Sequence, residues 1–266
     1  MSWDDVLAVR YATLTSTKGE LYYRWGAYGE PDGEQSMDYF FYVLRSGAET
    51  LVVDSGFHPE VGRRRGRTCL TEPREALERL GIDGSAIDRV IVTHLHYDHI
   101  GNLDAFPHAE LLVPARELEF WTGDVARNVQ FWAHVEESEI AYVAAAHREG
   151  RVATYGGPPG TETELAPGVT AISVGGHSPG QHVLVVETAA GRAVLTSDAV
   201  HLYDELEQRR PFGVLADLEE MYEGFETIRR LGEASGSVVV PGHDPDVTRR
   251  FPVAAGVEGV TALKLA

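Results

Sequence analysis

Short apolar runs bounded by polar residues dominate the start of the chain. Three such runs predict β-strands at 6–14, 38–45 and 49–56. Ser46 and Gly47 separate the last two runs and predict a hairpin turn. The amino-terminal part of the chain is therefore expected to contribute antiparallel strands to a sheet.

The apolar spacing changes to that of a helix in the segment 71–81. Thr71 is its expected N-cap and Gly81 its expected end, with the apolar side chains between them on one face. A compact apolar run at 88–94 then predicts another strand, which ends in a histidine-rich stretch. We expect functional side chains there, because chemistry on layered α/β folds commonly lies beyond the carboxyl ends of strands.

The second half of the chain repeats the order of strands followed by a helix. Residues 115–150 are the least strand-like part of the chain, and the spacing within 134–150 predicts helix. The later runs predict strands at 168–176, 182–188, 193–199 and 237–244, with a helix at 216–232. This order predicts a layered α/β fold of two packed sheets with helices outside. We expect one domain over residues 1–266, with a helical insertion at about 115–150.

The charge of the chain narrows the range of its partners. It has 41 acidic and 23 basic residues, for a net charge of −18. Such a surface repels phosphate backbones and anionic lipids, so neither nucleic acid nor a membrane is an expected partner. Cys69 is the single cysteine, which excludes an internal disulfide and a thiolate-rich metal site. Together with the lack of a secretion-signal pattern, it favours a cytoplasmic location.

The stretch IVTHLHYDHIGN, residues 91–102, crowds metal-capable side chains together. His94, His96 and Asp98 alternate, so an extended backbone would point them to one side, and His99 follows directly. Four ligands this close suit two neighbouring ions, one bound by His94 and His96 and the other by Asp98 and His99. Each ion needs further ligands, because a catalytic zinc takes about three protein ligands and a water.

Three later residues can complete both sites. His177, Asp198 and His243 each follow an apolar strand and lie beside small or turn-forming residues, where a turn aims one side chain inward. The two oxygens of Asp198 can bind both ions, with His177 completing the first site and His243 the second. Nitrogen and oxygen donors favour zinc, with iron or manganese as alternatives, and argue against copper(I) and iron–sulfur chemistry.

A structural role is the alternative for any one of these histidines, since a lone histidine before a turn usually only satisfies local packing. The crowded stretch is harder to explain by packing, because burying its side chains unpaired costs several kcal/mol. The joint pattern therefore predicts a metal site. The remaining histidines without motif context are expected to be surface or packing residues: His58, His108, His134 and His147.

Five short motifs resemble those of the metallo-β-lactamase superfamily. THLHYDH matches its HxHxDH signature, and DSG, GGHSPG, SDA and PGHD occur in the order of that superfamily, over roughly residues 38–250. The resemblance implies an αβ/βα sandwich of two mixed sheets flanked by helices, with a two-metal site at the sandwich edge. It assigns to one metal His94, His96 and His177, to the other Asp98, His99 and His243, and to both Asp198. Asp54 resembles the aspartate that orients a ligand such as His99 from behind.

The chain is most similar to the N-acyl homoserine lactone lactonase branch, in its length, its GHSPG turn and the segment 197–212. In that branch a tyrosine three residues after the bridging aspartate assists the lactone carbonyl. Here this position holds His201, with Tyr203 two residues further on. The resemblance implies lactone opening by a hydroxide between the ions, with His201 or Tyr203 donating to the carbonyl oxygen and Asp98 carrying a proton to the leaving oxygen. GHSPGQH reverses the glutamine and histidine common in the branch, so His182 receives no role.

Other activities fit the same metal ligands. A different ester, a thioester or a cyclic amide is the alternative substrate. A di-iron redox protein and a metal-stabilised binding protein are further alternatives. Exported β-lactamases and RNA-processing relatives are disfavoured, by the missing signal pattern and by the negative charge. A small-molecule substrate is the expected partner, and a homodimer is an allowed assembly.

Aromatic and basic side chains add candidates for substrate contact. The aromatic candidates are Tyr22, Tyr23, Trp25, Phe120, Trp121, Phe131 and Trp132. Such residues either line a pocket or fill the core or a subunit interface. The basic run RRRGR at 63–67 predicts a solvated loop, with neutralisation of an anionic substrate as the alternative.

Overall fold

The structure of the chain, a computed structural model, describes residues 2–254 and 259–266. The strands are β1 (Asp5–Thr17), β2 (Glu34–Ser46), β3 (Glu49–Val53), β4 (Thr68–Cys69), β5 (Arg89–Ile91), β6 (Glu110–Pro114), β7 (Val152–Tyr155), β8 (Glu162–Ala166), β9 (Val169–Ser173), β10 (His182–Thr188), β11 (Gly191–Ser197), β12 (Ser237–Pro241) and β13 (Thr261–Lys264). The α-helices are α1 (Lys18–Leu21), α2 (Pro59–Arg64), α3 (Pro73–Arg79), α4 (Tyr97–Ile100), α5 (Ala115–Thr122), α6 (Val129–Trp132), α7 (Glu137–Arg148), α8 (Tyr203–Gln208), α9 (Leu218–Gly232) and α10 (Val247–Arg250). Short 3₁₀ turns lie at Trp25–Tyr28, Gly84–Ala86, Leu103–Ala105 and Val125–Arg127.

Two mixed sheets form the centre of the fold. In the first sheet the strands follow the order β13-β1-β2-β3-β5-β6-β7, with β4 paired to β1. In the second sheet the order is β12-β11-β10-β9-β8. The neighbours β3, β5, β6 and β7 run parallel, as do β11 and β12, whereas β1 to β3 and β8 to β11 are joined by antiparallel pairing.

Strand β2 shows why the central strands are apolar without interruption. Phe40, Tyr42 and Leu44 are buried in the core between the two sheets. Phe41 and Val43, which alternate with them, are buried in the core beneath the helices of the first sheet. Because side chains of a strand alternate between its two faces, a strand covered on both sides has to be apolar throughout.

Helices cover the outer faces of both sheets. The first sheet is covered by α3, α4, α5 and α7, which contribute Leu77, Ile100, Leu118 and Val143 to its outer core. The second sheet is covered by α9, whose Met221, Phe225 and Ile228 pack on it. The resulting layers of helix, sheet, sheet and helix confirm the predicted αβ/βα sandwich.

The helix and strand bounds differ from the sequence-based expectation at several ends. Helix α3 has Glu72 rather than Thr71 at its N-cap, so it begins one residue later than expected, and the Thr71 amide donates to the Tyr11 carbonyl at 3.2 Å. Strand β5 ends at Ile91, so the chain leaves the sheet before the histidine-rich stretch. The segment expected as a helical insertion contains α5, α6 and α7. That residues 1–266 form a single domain stays a prediction.

The helices of the described residues are too short or too polar to span a membrane. None of those within 2–254 and 259–266 combines the length and apolar character needed to cross a bilayer.

Candidate metal centre

Four strand ends bring side chains to one edge of the sandwich. Asp54 follows β3 and His94 lies just beyond β5, and these strands are parallel neighbours in the first sheet. Asp198 follows β11 and His243 lies just beyond β12, and these are parallel neighbours in the second sheet. The carboxyl ends of parallel strands share an edge, so both sheets supply residues to the same place.

Unusual backbone turns aim several of these side chains. Asp54 and Ser197 have φ angles of 60° and 48°, in the left-handed region that such residues seldom occupy. Gly176, directly before His177, has a φ of 83°, and a Cβ there would lie 2.6 Å from the Met221 amide nitrogen. A glycine is therefore required at this close approach between the ligand loop and helix α9.

The seven predicted metal ligands converge at this edge. Their donor atoms form two groups, within each of which the atoms lie within 4.8 Å of one another. The groups are His94, His96, His177 and Asp198, and Asp98, His99, His243 and Asp198. All seven residues are buried. These are the two sets that the sequence assigned to two ions, with Asp198 in both.

Asp198 has the geometry of a bridging carboxylate. Its Oδ2 lies 3.4 Å from Nε2 of His177 and 3.9 Å from Nε2 of His94. Its Oδ1 lies 3.1 Å from Nε2 of His99 and 3.0 Å from Nε2 of His243. Each oxygen thus faces one histidine group, so a single side chain reaches both candidate ion positions.

Hydrogen bonds behind two of the histidines fix which nitrogen points inward. Nδ1 of His177 donates to the Val214 carbonyl at 2.9 Å, and Nδ1 of His243 donates to the Asp38 carbonyl at 2.9 Å. A carbonyl only accepts, so these Nδ1 atoms carry the proton in the neutral ring. Nε2 then presents a lone pair to the centre, which is the state in which an imidazole binds a metal.

Asp54 acts in the same way on the histidine-rich loop. Its Oδ2 lies 2.8 Å from Nδ1 of His99, and its two oxygens also accept from the amide and the hydroxyl of Thr93, each at 2.8 Å. The inward Nε2 atoms of His94 and His99 are buried, and neither makes a well-aligned hydrogen bond among the described residues, although Nε2 of His99 lies 3.1 Å from Oδ1 of Asp198. Buried nitrogens of this kind cost free energy unless a ligand satisfies them. The residues present therefore fit two divalent cations.

The electrostatics of the centre also suit cations. Burial lowers the pKa of His94, His96 and His177 well below the usual value, so these rings are neutral near pH 7. Burial also lowers the pKa of His99, but the carboxylates of Asp198 and Asp54 outweigh it and raise that pKa well above the usual value. Positive charge is thus favoured beside Asp198, where a divalent ion would supply it.

Glu117 ties the two ligand loops together, and nothing in the sequence singled it out. Its fully buried carboxylate accepts from the Leu95 amide at 2.9 Å and from Trp121 Nε1 at 2.8 Å through one oxygen. The other oxygen accepts from the Ser178 hydroxyl at 2.5 Å and the Gly180 amide at 2.6 Å. Burial raises the pKa of this carboxyl, although all four hydrogen bonds favour the carboxylate. The HxHxDH loop and the GHSPG loop are therefore held by one side chain.

The structure brings His201 to the centre. Its ring stacks on Phe212 at 3.6 Å between centroids, and its Nε2 lies 3.2 Å from Oδ2 of Asp198. Glu205 lies behind it, with Oε1 3.3 Å from Nδ1 of His201 and accepting the His201 amide at 3.0 Å. Burial lowers the pKa of His201, but Asp198 and Glu205 outweigh it and raise that pKa to about 9.

The structure does not bring Tyr203 to the centre. This residue begins helix α8, and its hydroxyl donates to the Val239 carbonyl at 3.1 Å, on strand β12. Arg250 covers its ring, with the guanidinium carbon 3.5 Å from the ring centroid. Although Tyr203 is only two residues from His201, its side chain points to the second sheet and not to the centre. Tyr203 is therefore not placed to donate to a substrate at the ligands.

A cavity of about 460 Å³ opens over the ligand groups. The apolar part of its wall includes Leu21, Met37 and Phe212, and the polar part includes Asp98 and His201. A smaller cavity of about 160 Å³ adjoins it on the far side of His96 and His177, where Trp121 and Phe131 contribute to the wall. The larger cavity gives a small molecule access to both candidate ion positions.

Four of the other five aromatic candidates fill space rather than line the larger cavity. Tyr22 and Trp25 are buried in a small cluster with Phe212 behind the cavity wall. Phe120 and Trp132 are partly buried against the helical side of the first sheet. Pocket and packing roles were both open from the sequence, and packing applies to these four.

Arg67 and His134 line the larger cavity, although the sequence favoured a solvated loop for the first and a surface or packing role for the second. The run at 63–67 is not a solvated loop throughout: Arg65 binds Glu136, and Arg67 reaches the cavity. His134 also lines it, with its ring 5.5 Å from that of His96. The basic run in so acidic a chain was a sequence signal that Arg67 could have a functional role. No sequence pattern indicated that His134 would line the cavity.

Comparison with known proteins bears directly on this centre. The sequence model of the metallo-beta-lactamase superfamily matches residues 39–243, which include the seven ligands. The chain belongs to that superfamily. Its layered fold and its paired ligand groups are consistent with this membership.

Two curated N-acyl homoserine lactonases are similar to the chain. An N-acyl homoserine lactonase, AttM of Azorhizobium caulinodans, is 29% identical over 193 residues, which are 68% of this chain and 66% of that protein. The match thus spans just under two thirds of that relative's length. The N-acyl homoserine lactonase AiiB of Agrobacterium fabrum is 29% identical over 222 residues, covering 76% of this chain and 78% of that one.

Solved structures of the superfamily share the fold. A quorum-quenching N-acyl homoserine lactone lactonase superposes with a TM-score of 0.78 at 20% identity, covering 95% of this chain and 97% of that one. Together with the family match, these relatives support the sequence-based prediction of a metal-dependent hydrolase.

Replacing Asp198 with alanine tests the shared ligand. Purified wild-type protein loaded with zinc should hold about two ions per chain, and Asp198→Ala should hold about one or fewer, because both groups lose a donor. Metal content after dialysis is measured by mass spectrometry. Asp88→Ala is the matched control, since it removes the same group at an exposed position before strand β5. Equal zinc content in Asp198→Ala and wild type would exclude the bridging role.

Glu117→Gln tests the link between the ligand loops. The NH₂ group of glutamine would face two of the groups that now donate to Glu117, so those hydrogen bonds are lost. The free energy of unfolding should therefore fall by about 2 kcal/mol, and zinc affinity by about 10-fold or more. Urea unfolding and competition with a chelator give the two quantities. Glu119→Gln, at an exposed position of the same helix, should leave both within error. A Glu117→Gln protein with unchanged zinc affinity would show that the link does not position the ligands.

Proposed function

We propose that this protein is a dinuclear metal-dependent hydrolase that opens N-acyl homoserine lactones or a related lactone. The observation that carries the proposal is the position of Asp198, with one oxygen facing each histidine group beneath an open cavity. The curated relatives named as N-acyl homoserine lactonases supply the substrate class.

Zinc is the ion proposed for both positions, with iron or manganese as alternatives. The ligand set consists of imidazole nitrogens and carboxylate oxygens, which suit these metals. When bound, such a pair supplies a nucleophilic hydroxide and polarises a carbonyl oxygen.

Asp98 is proposed to carry a proton to the leaving oxygen. It lines the larger cavity, and its Oδ2 lies 3.8 Å from Nε2 of His243 and 3.9 Å from Nε2 of His99. One carboxylate oxygen can therefore take part in the ligand group while the other faces the substrate. A carboxylate at this position can hold the proton that a departing alkoxide needs.

His201 is proposed to donate a hydrogen bond to the carbonyl oxygen of the substrate. Its Nε2 faces the cavity beside Asp198, and the carboxylate of Glu205 lies behind Nδ1. This carboxylate favours the protonated ring, which carries a hydrogen on Nε2 and can donate. Stacking on Phe212 holds the ring plane in place, so the donor is already oriented before substrate enters.

The proposed setting is a cytoplasmic enzyme acting on a small molecule, without nucleic acid or membrane partners. The net charge of −18 and the single cysteine support this setting. Hydrolysis of another acyl bond, in a thioester, ester or cyclic amide, is the second candidate. The observation in its favour is His201 itself, which stands where the similar lactonase branch has a tyrosine.

A substrate panel tests the proposed activity. Zinc-loaded protein should open acyl homoserine lactones with a kcat/KM of about 10⁴ M⁻¹s⁻¹ or more, within the usual range of enzymes. A pH-indicator assay measures the acid released from acyl homoserine lactones, simple γ- and δ-lactones, thioesters and a chromogenic β-lactam. Asp198→Ala is the blank. Turnover of a thioester with no turnover of any lactone would replace the proposal by the second candidate.

His201→Phe tests the proposed donor. The variant keeps an aromatic ring for stacking but has no hydrogen to donate, so kcat should fall by about 100-fold with unchanged zinc content. Tyr203→Phe is the matched control: it removes a hydroxyl bound to the Val239 carbonyl and should change kcat less than about 2-fold. If His201→Phe keeps the wild-type kcat, His201 is not the donor to the carbonyl oxygen. A large loss of kcat in Tyr203→Phe would contradict the control.

A further inference from the structure

Arg67 reaches the larger cavity by a specific turn of the chain. Helix α2 ends at Arg64, and Gly66 follows with a φ of 76°, which turns the backbone towards strand β4. The Arg67 side chain then lies half-buried against the cavity, beside Tyr39 and Tyr97. Its Nε donates to the Tyr39 hydroxyl at 3.1 Å, and its guanidinium carbon lies 5.8 Å from the ring centroid of Tyr97.

Arg67 differs from its neighbours in having no carboxylate partner. Arg64 and Arg65 both form ion pairs with Glu136, at 2.6 Å and 2.7 Å. Across residues 2–254 and 259–266, no carboxylate forms an ion pair with Arg67. One terminal nitrogen of Arg67 donates to the Arg65 carbonyl, and the other makes no hydrogen bond within the same residues.

A half-buried guanidinium that has no ion pair can still gain one from a ligand. Withdrawal from water weakens its solvation, and a phenol hydroxyl and a carbonyl replace only part of it. Guanidinium groups bind carboxylates through two parallel hydrogen bonds, and such bonds are among the stronger ones in proteins. Glu20 and Asp98 share the cavity wall with Arg67 without forming an ion pair with it. Glu20 is exposed and accepts from the Ser16 hydroxyl at 2.5 Å. Asp98 acts from a distance: burial lowers the pKa of Arg67, but Asp98 raises it together with Tyr97 and Tyr39.

We propose that Arg67 binds an anionic group of the substrate, so that the preferred substrate is a lactone or ester whose acyl chain carries a carboxylate. The inference rests on the proposed function, which places the reacting carbonyl at the ligand groups in the same cavity. The acyl chain then extends from the metal ligands towards Tyr39 and Tyr97, where the free nitrogen of Arg67 meets its charged end.

Matched substrates test the inference. Pairs of acyl homoserine lactones with equal carbon counts differ only in a terminal methyl or carboxylate: butanoyl and succinoyl, hexanoyl and adipoyl, octanoyl and suberoyl. For at least one pair the wild-type zinc-loaded protein should favour the carboxylate by about 10-fold or more in kcat/KM. Arg67→Ala should abolish this preference while changing kcat/KM for the methyl substrates less than about 3-fold. Arg67→Lys should retain part of it.

Arg64→Ala is the matched control, because it removes the same charge three positions away at a side chain that does not line this cavity. It should keep the full preference. The inference is overturned if the wild-type protein shows no preference in any pair. It is equally overturned if Arg67→Ala lowers turnover of both members of a pair alike, which would mean that Arg67 only supports Asp98 or the fold.

Binding separates this inference from the proposed activity. Isothermal titration calorimetry with the corresponding acyl homoserine lactams, whose ring amide resists opening and adds no second carboxylate, measures the same preference without turnover. If no lactone is opened, but the carboxylate-bearing compounds bind the wild-type protein more tightly and Arg67→Ala loses the difference, then the lactonase proposal fails and the role of Arg67 stands. Equal binding of both members of every pair would remove the role of Arg67.

Discussion

The attraction between one carboxylate and the nitrogens around it holds the candidate centre together across the two sheets. Asp198 follows strand β11 of the second sheet. Its Oδ1 faces His99, which lies in the segment after strand β5 of the first sheet. The apolar core between the sheets fixes this distance, since Phe40 and Leu195 pack within it. Burial of so many ligands would be unfavourable without a cation, so the packing of the sheets and the binding of ions depend on one another.

The sequence carried most of the information about the ligands and less about what supports them. Crowding in residues 91–102 signals chemistry by itself, and the later ligands follow apolar strands that could be recognised. Glu117 is a single glutamate on a short helix, and its role arises only because two distant loops meet it. Tyr203 failed as a candidate because helix α8 starts at that residue and rotates it away. Such contacts are tertiary and leave no local pattern.

The same distinction applies to the fold. Long apolar strands such as β2 and β10 were predictable, because they are buried on both faces. The short strands β4, β6, β7, β8 and β13 were not expected: β4 has two residues, and β8 alternates exposed Glu162 and Glu164 with half-buried Thr163 and Leu165. Pairing with a neighbour already in place determines these short strands, of which β7, β8 and β13 lie at sheet edges, and intrinsic preference contributes little.

The hydrogen bond behind His177 has a consequence for how the protein can change over evolutionary time. Its acceptor is the backbone carbonyl of Val214, and the Val214 side chain contributes to the cavity wall. A backbone carbonyl is present whatever residue occupies the position. Mutations at 214 can therefore reshape the pocket while the ligand keeps its acceptor, so selection on substrate preference need not come at the expense of metal binding.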